Sequence, residues 1–313
     1  MTVSVVVPTY NRAETLPRAI ESVLDGTYDD VELHVVDDGS TDDTPSVLDR
    51  YDDDRLVAHR FEQNRGANAA RNHGVDAATG EYVAFLDSDD AYTETYLERC
   101  VAMLVGAPDY CVGTYASRVW YRDGRRWNLT VADDDVTHED LRRKNAVGGF
   151  SNVVFRRGLF ETVGRLDETL ESSQDYDFFL HALEPERHTL AGVPDAVVRY
   201  YLHDEGATRI GDDLGAKTDG RRRFLDKHRD RLTAAGVANQ HYQLGMAHAR
   251  AGDTATARRW FWRGLRTDPS NWRHWYHFLA SLGGTPGLRG AVGLKIRAKR
   301  RVYRRLHESE LSR

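Results

Sequence analysis

Short β-branched runs alternate with stretches of helical apolar spacing through the first ninety or so residues, and that alternation sets the expected fold. Ser4-Val5-Val6-Val7-Pro8 is an apolar run closed by a proline, which suits a first strand that stops at Pro8. From Ala13 to Leu24 the apolar residues Leu16, Ile20, Val23 and Leu24 fall at helical intervals. Val31–Val36 predicts a second strand, Asp43–Tyr51 a helix and Leu56–Phe61 a third strand, while Asn64-Arg65-Gly66 opens a helix through Ala78. Tyr82-Val83-Ala84-Phe85-Leu86 then reads as a buried strand of the parallel type. The order β-α-β-α-β-α-β predicts an α/β, Rossmann-like fold with a mostly parallel sheet flanked by helices.

Beyond residue 90 the pattern loosens. Glu94–Val105 predicts a helix and Tyr110–Ser117 a strand, with an Asp123-Gly124 hairpin signal after it. Gly148-Gly149 leads a flexible entry into a strand at Val153-Val154-Phe155, Phe178–Leu183 continues as a helix, and Val197–His203 is a further strand. The C-terminal part differs in kind. Leu244, Gly245, Ala257, Phe261 and Pro269 fit a tetratricopeptide-like helical hairpin over 238–271, with His241 and His248 where that pattern expects aromatics. Trp260, Trp262, Trp272 and Trp275 serve either its core or a docking surface. Residues 283–290 read as a linker, and Leu294 to Leu306 as an apolar stripe among Lys and Arg. The expected domains are 1–220, 221–282 and 283–313.

Charge sharpens this division. The net charge of −6 splits into 22 Lys+Arg against 43 Asp+Glu in residues 1–220, and 21 against 6 in residues 221–313. The basic tail suggests contact with an anionic membrane surface, and the acidic main part argues against nucleic acid. Acidity carried mostly by Asp and basicity mostly by Arg point to a high-salt, high-GC source or to codon bias. Two cysteines, Cys100 and Cys111, make no disulfide framework or metal cluster. With no leader-like segment and no apolar stretch of membrane-spanning length, the expected location is cytoplasmic, peripheral at most on the inner face of the cell membrane.

The chemistry concentrates where the Tyr82 strand ends, because Asp87-Ser88-Asp89-Asp90 packs three carboxylates into four positions. Such a cluster is either a polar turn capping the next helix or a seat for a hard cation such as Mg²⁺ or Mn²⁺. On an extended chain Asp87 and Asp89 point the same way. Pro8-Thr9-Tyr10 and Asp37-Asp38 reach the same sheet edge if the strands are parallel, where a nucleotide fits with Asp38 reading a base imide and Asp89 holding a metal on the diphosphate. No P-loop and no Gly-x-Gly-x-x-Gly follows the first strand.

Ser4 to Arg12, Val36-Asp37-Asp38-Gly39-Ser40, Asn64-Arg65-Gly66 with Ala70-Arg71-Asn72, and Leu86-Asp87-Ser88-Asp89-Asp90 together resemble the family 2 glycosyltransferases, over roughly residues 2–205. The C-terminal helical extension and the Asp-rich composition resemble haloarchaeal members. The resemblance implies a GT-A fold and an inverting hexosyltransferase. It implies a nucleotide-sugar donor, a UDP-sugar favoured, and a glycan or polyprenyl-linked acceptor. By the same resemblance Pro8, Thr9, Tyr10, Asp38, Arg71, Asp87 and Ser88 line the nucleotide, Asp89 ligates the metal and His203 approaches it. Ser173-Gln174-Asp175-Tyr176-Asp177 resembles the acceptor-site motif, with Gln174 where many members carry Glu, and Asp175 as the general base. From the residues alone Asp175 serves equally as a helix cap. Two other readings remain, a sugar-nucleotide pyrophosphorylase, which lacks its Gly-rich loop here, and a non-catalytic scaffold.

Overall fold

A computed structural model describes residues 1–184, 188–202, 214–288 and 290. It divides into two compact units, Met1–Leu141 with Asn145–Ala207, and Arg142–Lys144 with Thr208–Arg313.

The first unit is built on one sheet. Strands β1 (Val3–Thr9), β2 (Val31–Asp37), β3 (Leu56–Arg60) and β4 (Tyr82–Phe85) run parallel in the spatial order β3-β2-β1-β4. Helices α1 (Leu16–Leu24), α2 (Thr44–Leu48) and α3 (Ala67–Ala77) connect them. Every residue of β1 and β4 is buried, which is why these segments read as continuous apolar runs rather than alternating ones. The sheet continues through β9 (Val153–Arg156), β6 (Cys111–Arg122), β10 (Thr189–Leu202) and β5 (Asp90–Tyr92), with β7 (Arg125–Thr130) on β6 and β8 (Val136–Thr137) on β10. β9 runs antiparallel between β4 and β6. Helices α4 (Tyr96–Val105), α5 (His138–Arg143), α6 (Leu159–Val163) and α7 (Gln174–Ala182) complete the elements up to β10.

Pro8 lies inside β1 rather than ending it. The Val6 carbonyl accepts from Leu86 on the β4 side and the Thr9 carbonyl from Asp38 on the β2 side. Alternation therefore turns the Pro8 nitrogen toward β4, beyond the last β1–β4 pair, Val6 with Phe85, and no ladder bond is lost.

Glu32 ties β2 to the turn between α3 and β4. Its carboxylate accepts from the Ser4 hydroxyl, the Thr79 N–H (2.6 Å) and hydroxyl (2.7 Å), and the Gly80 N–H (3.1 Å). Burial alone would raise the Glu32 carboxyl, but these donors hold it down to about 2. A depressed folded-state value stabilises above the ordinary 4.5, and that contribution is lost as pH falls toward about 2. Glu32→Gln is therefore expected to lower stability by about 2–3 kcal/mol at neutral pH. The gap to the parent should close between the two values, which urea melts across that range will check.

In the second unit α8 (Leu214–His228), α9 (Ala234–Arg250), α10 (Thr254–Thr267) and α11 (Trp272–Leu282) follow in sequence. Thr233, Asp253 and Asn271 cap the last three through side-chain oxygens. Gly245 lets Phe261 approach, since a Cβ there would lie 2.6 Å from its ring. His241 is buried against Trp260, centroids 5.6 Å apart, and burial pushes its imidazole down to about 4, so a neutral ring fills the place of an aromatic. Trp260 is buried, whereas Trp262, Trp272 and Trp275 are exposed. The expected linker is helical at 284–288 and buries Leu288 with Tyr242, Met246 and Phe261. His203 and the basic stripe from Leu294 lie outside the described residues.

Candidate active site

Because β1, β2 and β4 are parallel, the turns after Thr9, Asp37 and Phe85 leave the sheet at one edge, as the sequence implies. The first two turns are lashed together by Asn11, whose φ of 52° is a left-handed conformation that Asn tolerates. Its side-chain oxygen accepts from Thr41 N–H (2.8 Å) and its own N–H donates to Ser40 Oγ (2.9 Å). Thr9 is buried and its hydroxyl has no hydrogen-bond partner among the described residues, while Tyr10 is exposed at the rim. Asp37 is fully buried and accepts from the Ser40 N–H at 2.9 Å, a turn-forming role. Gly39, at φ 74°, passes so near the neighbouring loop that a Cβ would fall 2.6 Å from the Gln63 carbonyl carbon.

Asp38 anchors the third loop. One carboxylate oxygen accepts from the Arg65 N–H (2.6 Å) and the other from the Gly66 N–H (2.8 Å). Burial raises its carboxyl despite these two donors. Each oxygen keeps a second lone pair, the acceptor that a base imide requires.

The acidic turn is not extended. Asp90 N–H donates to the Asp87 carbonyl at 2.9 Å, closing a turn over Ser88 and Asp89, so Asp87 and Asp89 do not share a strand face as the spacing suggested. Asp90 is buried and accepts from Ser151 Oγ (2.8 Å), which in turn accepts from the Asp87 N–H (3.1 Å). Ser88 is buried, and Asp87 and Asp89 are partly exposed. The Asp89 carbonyl is held by Arg18 Nη2 at 2.8 Å. Both carboxylates are hard oxygen donors suited to a divalent cation, although Asp87 already binds an arginine.

That arginine is Arg71, which is buried on α3 and not a surface residue. Its Nη2 donates to Asp87 at 2.7 Å, and its Nη1 to Asn68 (3.2 Å) and Gln174 (3.1 Å). The guanidinium lies 4.7 Å above the Phe150 ring. One side chain thus joins the acidic turn to the start of α7.

At that start Ser173, φ 61°, occupies the N-cap position without a capping side-chain bond, and Asp175 is the second helical residue. Asp175 Oδ1 accepts from the Tyr176 N–H (2.8 Å), and Oδ2 from Asn145 Nδ2 (3.4 Å). A partly exposed carboxylate here both satisfies a helix-end donor and faces the loop around Asn145. Asn145 closes that loop on Gly148 in both directions, at 2.6 and 2.8 Å.

Sequence reasoning missed Asn145, Phe150 and Ser151. The Gly148-Gly149-Phe150-Ser151 run reads as flexible, yet it packs between the acidic turn and α7. Gly148 has φ 114°, and a Cβ on Gly149 would sit 2.9 Å from the Tyr200 hydroxyl, so close approach was the only signal available.

A mostly parallel sheet whose strand ends gather the Thr9, Asp38 and acidic turns at one edge, beside a carboxylate-bearing helix start, is the arrangement of the GT-A class. The fold is similar to that of the crystal structure of S. aureus TarS 1-349, with a TM-score of 0.55 at 20% identity, covering 99% of this chain and 92% of that one. Residues 4–164 match the glycosyl transferase family 2 model, and residues 238–282 a tetratricopeptide repeat. The chain belongs to glycosyl transferase family 2. It is 29% identical over 205 residues to the Bacillus subtilis (strain 168) glycosyltransferase TuaG, named for teichuronic acid biosynthesis, over 64% of this chain and 79% of that protein. It is 32% identical over 178 residues to a PGL/p-HBAD biosynthesis glycosyltransferase of Mycobacterium bovis (strain BCG / Pasteur 1173P2), over 56% and 67% respectively.

Proposed function

We propose that the chain transfers a hexose, with inversion, from a nucleotide-sugar donor to a hydroxyl of a lipid-linked or surface glycan. The observation that carries this reading is Arg71, whose guanidinium joins Asp87 of the acidic turn to Gln174 at the start of the Asp175 helix. Thr9, Tyr10 and Asp38 form the nucleotide wall, and the TarS structure in complex with UDP-GlcNAc supports a UDP-sugar. Asp175 accepts the proton of the attacking hydroxyl in a single displacement at the anomeric carbon. Asp89, with Asp87 beside it, would hold Mg²⁺ or Mn²⁺, which when bound neutralises charge on the departing diphosphate.

Binding of UDP with and without Mn²⁺ tests this. Asp89→Ala is expected to abolish the Mn²⁺-dependent gain in UDP affinity while its melting curve stays that of the parent. An unchanged Mn²⁺ gain in the folded variant would remove Asp89 from the metal site. Membrane contact through the basic segment is a separate proposal resting on sequence; among the described residues no helix is long and apolar enough to cross a membrane.

A further inference from the structure

Arg118, Trp120 and Arg122 alternate along β6, so their side chains leave one face of the strand. Trp120 lies against Tyr200 of β10 with centroids 4.7 Å apart, and Arg122 sits 4.7 Å over the ring of Trp127 on β7. The loop beside Asp175 rests on this face. A Cβ on Gly148 would lie 1.6 Å from Arg118 Nη1, and the Gly148 carbonyl accepts from the same Asn145 amide that reaches Asp175.

Both arginines have a buried Nε with no hydrogen-bond partner among the described residues, and neither forms an ion pair there. The lack of an ion pair, not the orphan Nε that Arg71 also has, separates them from the paired arginines of this unit. Residues 1–220 hold 43 acids against 22 bases, and Arg55, Arg60, Arg65, Arg71 and Arg165 each have a carboxylate within 4.0 Å. A partly desolvated guanidinium with no partner is costly, and its planar fork matches carboxylate or phosphate oxygens. Two such groups on one face, with Arg118 directly beneath the loop that carries the Asp175 contact, are matched to an anionic group.

We infer that Arg118 and Arg122 form an acceptor subsite for an anionic group, so that the acceptor glycan bears a phosphate or carboxylate near the hydroxyl that reacts. The inference rests on the glycosyltransferase reading and narrows its acceptor. The donor diphosphate is the other source of the same chemistry, and UDP binding separates the two.

The test measures binding of the full chain, without donor, to a panel of octyl glycosides in neutral, 6-phosphorylated and uronate forms, with UDP titrated separately. The parent is expected to prefer anionic members by roughly 10- to 100-fold, the weight of one or two charge-assisted hydrogen bonds. Arg118→Gln and Arg122→Gln should each remove most of that preference with UDP affinity unchanged, and Arg118→Lys should retain part of it as a point charge. If no anionic member binds the parent more tightly than its neutral counterpart, the inference is wrong. A fall in UDP affinity of equal size in Arg118→Gln would assign the arginine to the donor instead. Failure of the parent to bind UDP or any other nucleoside diphosphate would overturn the proposed donor and the transferase reading that rests on it.

Discussion

Asp175→Asn is expected to cut the rate of transfer by ~10²–10⁴, the usual span for loss of a general base. In the proposed inverting displacement the acceptor hydroxyl is the nucleophile, and its proton must depart as the bond to the sugar forms. The amide of Asn still offers an oxygen to the Tyr176 N–H, which Asp175 holds at 2.8 Å, so the start of α7 is preserved. What disappears is the group that takes the proton. UDP affinity should stay at the parent level, because the proposed nucleotide wall of Thr9, Tyr10 and Asp38 belongs to other elements. Turnover measured beside UDP binding decides the matter. A variant with normal turnover would reduce Asp175 to a helix-end residue.

Arg71→Met is expected to weaken both substrates at once. The guanidinium serves Asp87, Asn68 and Gln174 and covers the Phe150 ring, and no other side chain type has that many donors in one plane. Breaking a fully buried ion pair costs about 3–5 kcal/mol. Asp87 is 37% exposed and regains water when its partner goes, so the loss here is expected nearer 1–3 kcal/mol. Its effect on activity is larger than its effect on stability. The acidic turn loses its tether to α7, so UDP affinity falls and the acceptor KM rises together, and Arg71→Lys does not rescue either. A variant in which UDP affinity falls while the acceptor KM is unchanged would show that the two walls are held independently.

Of the first seven elements β1, β2 and β4 were legible because they are buried almost throughout, and the boundaries of β2 and β3 agree within one residue although β3 buries no residue fully. β5 and β9 were harder. Asp90-Ala91-Tyr92 begins with a carboxylate that no pattern assigns to a strand, yet Asp90 is buried on the Ser151 hydroxyl. The antiparallel insertion of β9 depends on contacts seventy residues apart, which periodicity does not record. At the site, residue types singled out Asp38, Asp87 and Asp89 as candidates, and their hydrogen-bond partners are known only from distance. Asp38 spends two acceptor sites on backbone N–H groups, and Asp87 shares itself with Arg71. Asn145 was invisible because an isolated asparagine gives no signal until the loop it closes is seen.

Asn11, Gly39, Gly66, Gly148 and Ser173 all have positive φ, and each stands in a loop beside a candidate site residue. For the two non-glycine residues such a conformation costs on the order of 1–3 kcal/mol, which the surrounding hydrogen bonds must offset. The course of these loops is therefore set partly in the main chain, while the side chains of Asn11, Asn145 and Arg71 tie one loop to the next. Anyone seeking altered donor or acceptor choice gains a practical rule from this. Tyr10, Arg118, Arg122 and their exposed neighbours are open to variation in a library, whereas those five positions are the hinges of the mould and belong among the fixed ones.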